Sequence, residues 1–566
     1  MTLLVGSPGS GKTTLLKLLA GQLQTEGNWK ATGVYFNGIP ATDPKVEPRK
    51  LCSLVGETDV HLPTMTVEKT LDFAFKCTSR EPSPEHVSMI LEVLGLAHVA
   101  KTKVGGEGVR GCSGGERRRV TVGEQWAAGV RVLLADRLTD GLDSSSTIDI
   151  IRALSVWCHM TKATVVLSLL QPPPEVYAYF DNVCILAMQK CVYCGPIEGA
   201  AQHMSDLEGI DRQAGDHPAN ANAARISIPP AQPATSRGER SPMDQGDASQ
   251  GAPQAESAMT GGYHRSYMTQ LRLCIQRQFY LEFTNYGLVI SRIVLNVVNG
   301  FMTASLWKGM TNDQAGLELR SALIFHSCMS TVISVVSHIG LFSNDRPVFY
   351  KQHDAYFFRS SCYWIANNFF QFLVWGVLET MCFCTPLYWL TGLRADMSRF
   401  LAFWFAMYLL NLNSSVMFKL MAIVTSTTSV GQTMAGLIQV VFFLFSGYLR
   451  PWSVMPKGWK WMKWFSPQSY AFCIAIINEF EDSVFTCTAE ELAEFQGVCP
   501  YTSGMKYIED VYSLKVEHDT IGLYAFGLIG WYLGYLFISA VCLHFVRFQS
   551  RIKHRLQPYR PQSKER

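Results

Sequence analysis

A chain of 566 residues is too long for one ordinary domain. A net charge of +3 with 17% charged residues argues against nucleic acid as a partner, and 12% aromatics with a mean hydropathy of +0.09 are high for a soluble protein. The apolar excess lies in the second half.

At the front, Met1 to Val5 reads as a short buried strand and Thr14 to Ala20 as a helix. Between them Gly6-Ser7-Pro8-Gly9-Ser10-Gly11-Lys12-Thr13 fits GxxxxGK(S/T). The glycines let backbone N–H groups turn inward on phosphates, and the helix that opens at Lys12-Thr13-Thr14 adds positive potential. Lys12 is expected to reach the β- and γ-phosphates of a nucleoside triphosphate and the Thr13 hydroxyl to hold Mg²⁺. A chance glycine-rich turn would not bring strand, loop and helix in this order.

Residues 1–205 alternate short apolar strands with helical stretches, the pattern of an α/β domain. From 211 to 262 the chain is rich in Pro, Ala, Ser, Gln, Gly and Asp with almost no large apolar side chains, so 206–262 reads as a flexible linker. Residues 263–566 hold apolar runs at 286–307, 321–342, 361–386, 399–424, 429–449 and 521–546, each near the length of about 20 residues that crosses a bilayer. One such run is readily a buried core helix; this many in one half predict an all-α membrane domain. Tyr267 to Phe283 is basic and amphipathic and is expected along the cytosolic interface.

Arg265, Arg272 and Arg277 precede the first run, Arg346, Lys351 and Arg359 lie between the second and third, and Arg547, Arg551, Lys553 and Arg555 follow the last. Six spans put all three groups on one side, which is then cytosolic, and leave an acidic loop near 450–520 outside. Cys487 and Cys499 in that loop are placed to form a disulfide, with two free thiols as the alternative. No signal peptide is legible, so the first apolar run is expected to target the chain.

Three further features narrow the P-loop reading. Gly111-Cys112-Ser113-Gly114-Gly115-Glu116 contains SGGE, which resembles the signature motif of ATP-binding cassette proteins. Val132-Leu133-Leu134-Ala135-Asp136 resembles the Walker B strand, whose Asp136 would hold the Mg²⁺ shell, and Gly141-Leu142-Asp143-Ser144 resembles the D-loop. Thr58 to Val67, Leu169 to Tyr177, the segment Arg346-Pro347-Val348-Phe349-Tyr350-Lys351, and Met455-Pro456 through Asn478-Glu479-Phe480 resemble the G subfamily, most of all its pleiotropic drug resistance type. The resemblance covers nearly everything but the linker. It implies an α/β P-loop cassette followed by an ABC-2 type membrane domain, one half of a two-half transporter, with ATP and Mg²⁺ sandwiched between two cassettes. Ser113, Gly114 and Gly115 would then face the ATP of the partner half, fused or separate. Substrate would be a hydrophobic or amphipathic small molecule moved outward, with Phe325, His326, Phe442, Phe443 and Phe445 as candidates for its path. Coupling would run through 344–354 against the cassette near Glu57. The expected location is the plasma membrane, in contact with lipid.

Departures from the family pattern cluster at one site. Arg137 replaces the glutamate that follows the Walker B aspartate, and a guanidinium cannot take a proton from water. Glu57 replaces the Q-loop glutamine and Leu170 the switch histidine. The chain's own site is therefore expected to bind ATP and hydrolyse it very slowly. The alternatives are a non-hydrolysing regulatory subunit of a partner transporter and a decayed gene fragment. Thr32 to Gly38 resembles part of a β subdomain that in this family precedes the P-loop, so Met1 is expected not to be the true start. Glu379 and Lys419 fall inside expected spans, where packing is favoured over contact with substrate.

Overall fold

The structure is a computed structural model. It describes residues 1–22, 34–36, 38–41, 43, 46–79, 83–106, 108–140, 142–169, 172–187, 189–204, 263–494, 498–515 and 519–547. The expected linker at 206–262 lies outside the described residues. The chain divides into two compact units, Met1–Leu273 with Val348–Arg359, and Cys274–Pro347 with Ser360–Arg566.

The first unit is built on a six-stranded sheet. Its strands are β1 (Thr2–Gly6), β4 (Cys52–Val55), β5 (Val132–Ala135), β6 (Thr164–Ser168), β7 (Asn182–Ala187) and β8 (Lys190–Pro196), in the order β4-β5-β6-β1-β7-β8. All pairs are parallel except β7 with β8. Helices cover both faces of such a sheet, so its strands read as unbroken apolar runs. Leu3, Leu4, Leu133, Leu134, Val165 and Leu167 are accordingly buried. This order sets the carboxyl ends of β1, β4, β5 and β6 side by side, the edge where open α/β sheets bind ligands. The expected β-subdomain fragment is a separate two-stranded ribbon, β2 (Tyr35–Phe36) against β3 (Ile39–Pro40).

Two helices pack tightly beside the sheet. Gly123, inside the helix Gly114–Ala127, sits where a Cβ would stand 2.9 Å from a Leu94 methyl and 3.1 Å from one of Leu71, so the helix packs closely against both side chains. Val348–Arg359 belongs to the same unit: Phe357 and Phe358 are fully buried, the Phe358 ring lies 6.1 Å from that of Phe73, and the Arg359 amide donates to Gln270 Oε1 at 3.0 Å.

The second unit is helical. Among the described residues, five stretches are long and apolar enough to cross a membrane: Tyr286–Leu306, Gln314–Asp354, Ser360–Thr391, Met397–Val424 and Ile521–Phe545. The sixth expected run is the helix Thr428–Leu444, shorter at 17 residues. Met397–Val424 is buried nearly all round, whereas Ile521–Phe545 leaves Leu523, Phe526, Phe537 and Phe545 exposed, an apolar face suited to lipid. The long second stretch is two helices, Gln314–Ser334 and His338–Asp354.

Polar side chains lock these helices together. Asn413 Nδ2 donates to Leu528 O at 3.0 Å. Arg346 donates to the carbonyls of Ala422, Thr425 and Ser426 at 2.6, 2.6 and 2.9 Å, satisfying the open C-terminus of Met397–Val424. Glu379 accepts from Asn411 at 3.4 Å beside Arg292 at 3.9 Å, and Lys419 donates to Asn367 O at 3.3 Å and Asn368 Oδ1 at 3.1 Å. Both buried charges thus sit in helix contacts. Arg320 pairs with Glu479 in the interior and with Asn312 at 2.9 Å. Cys487 and Cys499 form a disulfide in the segment between the helices Pro467–Phe480 and Gly504–Tyr512.

Candidate nucleotide site

The P-loop follows β1 directly. Gly6 is obligatory, because a Cβ there would come 2.4 Å from Leu186 O and 2.5 Å from Ser10 Oγ. Gly9 and Gly11 take φ values of +82° and +97°, which L side chains resist, and Gly11 caps the helix Lys12–Leu19. Ser7 O accepts from the Ser10 amide at 3.1 Å. Lys12 is folded across its own loop, donating to Gly6 O at 2.6 Å and Ser7 O at 3.0 Å. Burial first, then the Arg137 charge, hold the Lys12 pKa below its ordinary value, with Asp136 opposing them.

Asp136, at the end of β5, is buried and joins the two halves of the site. Thr13 Oγ1 donates to its Oδ2 at 2.6 Å and Ser168 Oγ to its Oδ1 at 2.6 Å. Ser168 Oγ also accepts from the Arg137 amide at 2.9 Å. The buried Arg118 guanidinium ties the neighbouring loops together: it donates to Gly56 O at 2.7 Å, Asp59 Oδ1 at 3.1 Å, Asp136 O at 3.2 Å, Arg137 O at 3.1 Å and Leu138 O at 2.9 Å.

Two of the residues that depart from the family pattern meet. Arg137 Nε lies 3.3 Å from Glu57 Oε1, bridging the loops beyond β5 and β4. Leu170 lies outside the described residues, as do Gly141 and Gln171. Glu57 thus pairs with Arg137, while Lys351 reaches Val60, three residues further along the same loop. Within the first unit, Lys351 Nζ donates to Glu124 Oε2 at 2.5 Å and to Val60 O at 2.5 Å, and Gln352 Nε2 donates to Glu124 Oε1 at 3.0 Å. His61 Nε2 lies 2.8 Å from Thr121 Oγ1, and Thr121 Oγ1 donates to Asp59 Oδ1 at 2.6 Å. Burial first, then the Lys351 and Arg117 charges, push the His61 pKa well below its ordinary value.

The signature residues sit at the start of the helix Gly114–Ala127. Ser113 is its N-cap in a capping box: Ser113 Oγ accepts from the Glu116 amide at 3.2 Å, and Glu116 Oε2 accepts from the Ser113 amide at 2.8 Å. These bonds, above all the one from the Ser113 amide, hold the Glu116 carboxyl below the usual range. Ser113 and Gly114 are exposed and Gly115 is partly so. The next helix start, at Ser144–Thr161, is capped by Asp143, which accepts from the Ser146 amide at 3.2 Å.

The donor set fits a magnesium nucleoside triphosphate. Ser10 Oγ is buried and has no hydrogen-bond partner among the described residues, which suits a phosphate oxygen. The hydroxyl of Thr13 and the carboxylate of Asp136, already in contact, are hard oxygen ligands of the kind Mg²⁺ takes. Sequence reading missed Ser168 and Arg118. Ser168 is a lone hydroxyl ending an apolar strand, and Arg118 is one of three consecutive arginines that only the helix phase separates.

Two family models match, one described as ABC transporter over residues 1–140 and one as ABC-2 type transporter over 269–480. The chain is 27% identical to ABC transporter G family member 5 of Dictyostelium discoideum, over 97% of this chain and 39% of that protein. It is 27% identical to ABC transporter G family member 36 of Arabidopsis thaliana over 85% and 36%, and 26% identical to ABC multidrug transporter G of Aspergillus fumigatus over 90% and 40%. It thus spans less than half the length of these curated relatives. With its α/β cassette ahead of a helical unit that carries several membrane-length apolar helices, the chain is similar to G-family ABC transporters over one cassette and one ABC-2 type membrane domain.

Proposed function

We propose that this chain is one half of an ATP-driven exporter of amphipathic or lipid-like molecules at the plasma membrane, of the pleiotropic drug resistance type. Its own site holds MgATP and turns it over very slowly, while Ser113, Gly114 and Gly115 complete the site of a partner half. MgATP supplies the binding energy that closes two cassettes and the phosphoanhydride bond whose cleavage reopens them. The chain's residues divide the remaining tasks. The loop Gly6–Thr13 and Lys12 orient the phosphates, and Thr13 with Asp136 places the metal. The exposed Ser113 hydroxyl and the amides at its helix N-terminus offer donors to a second nucleotide.

The observation that carries this reading is the contrast inside one site. Thr13 and Asp136 are in contact at 2.6 Å, yet the next residue, Arg137, is a cation paired to Glu57 at 3.3 Å. Metal placement is kept; the base that would take the water proton is not. The test is ATP turnover by the chain alone and with a partner half in lipid nanodiscs. Turnover should be absent alone and present in the pair, and Ser113→Arg should abolish it there. Unchanged turnover by the Ser113→Arg pair would refute the trans role. The second reading, a regulatory subunit that never contributes to hydrolysis, draws on the same Glu57–Arg137 pair and predicts that unchanged rate.

A further inference from the structure

Glu57 and Arg137 each depart from the family pattern. In this fold they form one element. Arg137 adopts a φ of +48°, a left-handed conformation costly for a residue that carries a Cβ. Fixed bonds hold it there: its amide donates to Ser168 Oγ at 2.9 Å, and its carbonyl accepts from the buried Arg118 at 3.1 Å. Arg118 also holds Gly56 O, the carbonyl just before Glu57, at 2.7 Å. One buried guanidinium thus fixes the backbones of both loop tips, and only the two side chains remain free to change partner.

The pair itself is exposed enough to break. The Arg137 and Glu57 side chains are 36% and 49% exposed, and ion pairs so well solvated are weak. Arg137 directly follows Asp136, which holds the Thr13 hydroxyl, and its charge reaches Lys12. A terminal phosphate laid on Lys12 would place two to three more acceptor oxygens near this guanidinium, and guanidinium–phosphate bonding is stronger than a solvated carboxylate pair.

We propose that Arg137 is a γ-phosphate sensor gated by Glu57: it exchanges the Glu57 carboxylate for the terminal phosphate of ATP, so that the site distinguishes ATP from ADP and holds the triphosphate. The inference rests on the reading that MgATP occupies this site. Glu57, released, becomes an uncompensated acid beyond β4, a local charge change that follows the nucleotide state without hydrolysis.

The experiment is nucleotide affinity of the full chain in detergent micelles, measured for MgATP and MgADP separately. Arg137→Ala should weaken ATP about tenfold, a loss typical of one charge-assisted contact, and leave ADP unchanged. Glu57→Gln should strengthen ATP several-fold by removing the competitor, again with ADP unchanged. Arg137→Lys should restore part of the ATP preference. Retained ADP affinity reports that each variant is folded. Equal effects on ATP and ADP, or no effect of Arg137→Ala on their ratio, would overturn the sensor while leaving the nucleotide site standing. Failure of the unaltered chain to bind either nucleotide would overturn the nucleotide-site reading itself, and the sensor with it.

Discussion

Glu124 is fully buried in the helix Gly114–Ala127 and receives two donors from Val348–Arg359. Replacing it with Ala removes a charge-assisted bond from Lys351 at 2.5 Å and a second from Gln352 at 3.0 Å. Removing one member of a buried ion pair costs about 3–5 kcal/mol. The Lys351 side chain is 19% exposed and keeps its bond to Val60 O, so solvent screening brings the cost to or just below that range, about 2–3 kcal/mol. Glu124→Gln, which keeps an acceptor for Gln352, should cost about half as much. A local cost of that size is best read locally, as faster amide hydrogen exchange over 349–354 by about 100-fold for Glu124→Ala. Lys351→Met should produce a similar change, and the double variant should fall short of the sum by about 1.5–2 kcal/mol, because the second change removes an orphaned charge. Additivity within about 0.5 kcal/mol would refute the pairing as the anchor of this segment.

Gly6→Ala should abolish ATP binding, since a Cβ at 2.4 Å from Leu186 O forces the loop off β7; unchanged ATP affinity by titration calorimetry would count against the site. Arg320→Met should destabilise the membrane unit by about 3–5 kcal/mol by stranding the buried Glu479, and adding Glu479→Gln should recover much of the melting temperature in detergent. Denatured, unreduced protein should take up 14 alkyl groups and reduced protein 16, the difference being the Cys487–Cys499 bridge. Folding holds His61 neutral, because its folded pKa lies well below the unfolded value near 6.5. The unfolded chain therefore binds the proton first as pH falls, and stability should drop below about pH 6.5 by up to about 1.4 kcal/mol per unit. His61→Asn should flatten that slope in melting curves between pH 7.5 and 5.5.

The parts of the site legible in the sequence are those whose chemistry needs neighbours in the chain. The P-loop is one contiguous cradle, and the Ser113–Glu116 capping box is a local i, i+3 exchange. Asp136 was legible because an apolar strand ends in it. Contacts made across the fold left no such trace. Glu57 and Arg137 are far apart in sequence and meet only because β4 and β5 are adjacent. Glu124 carried no signal at all: a glutamate in a polar helix reads as solvated until Val348–Arg359 covers it. The apolar runs coincide with the helices Tyr286–Leu306, Met397–Val424 and Ile521–Phe545, while the second run stops short of its helices. The helix His338–Asp354 runs on through Asn344, Asp345, Arg346 and Pro347, and the Arg346 charge is met by the carbonyls at 422, 425 and 426, a partner no hydropathy window contains.

The same pairing bears on whether the altered site is decayed or adapted. Independent losses at Glu57 and Arg137 would leave random charges, each to be solvated or stranded on its own. Here the Q-loop position gained an acid where the Walker B position gained a base, and the two side chains meet at 3.3 Å. The scaffold beneath them is complete. Arg118 makes five bonds to the surrounding loops, Ser168 bridges Asp136 and the Arg137 amide, and the Ser113 capping box is intact. Decay has no reason to spare a buried guanidinium whose function is to position residues that no longer matter. Loss of any one Arg118 partner would leave a buried donor unsatisfied, at about 1–3 kcal/mol. These contacts support the proposal of a site kept for holding nucleotide, with Arg118→Leu as its check. That change should lower ATP affinity and the melting temperature together. A variant that melted normally and bound ATP as before would show the scaffold to be idle and return the argument to decay.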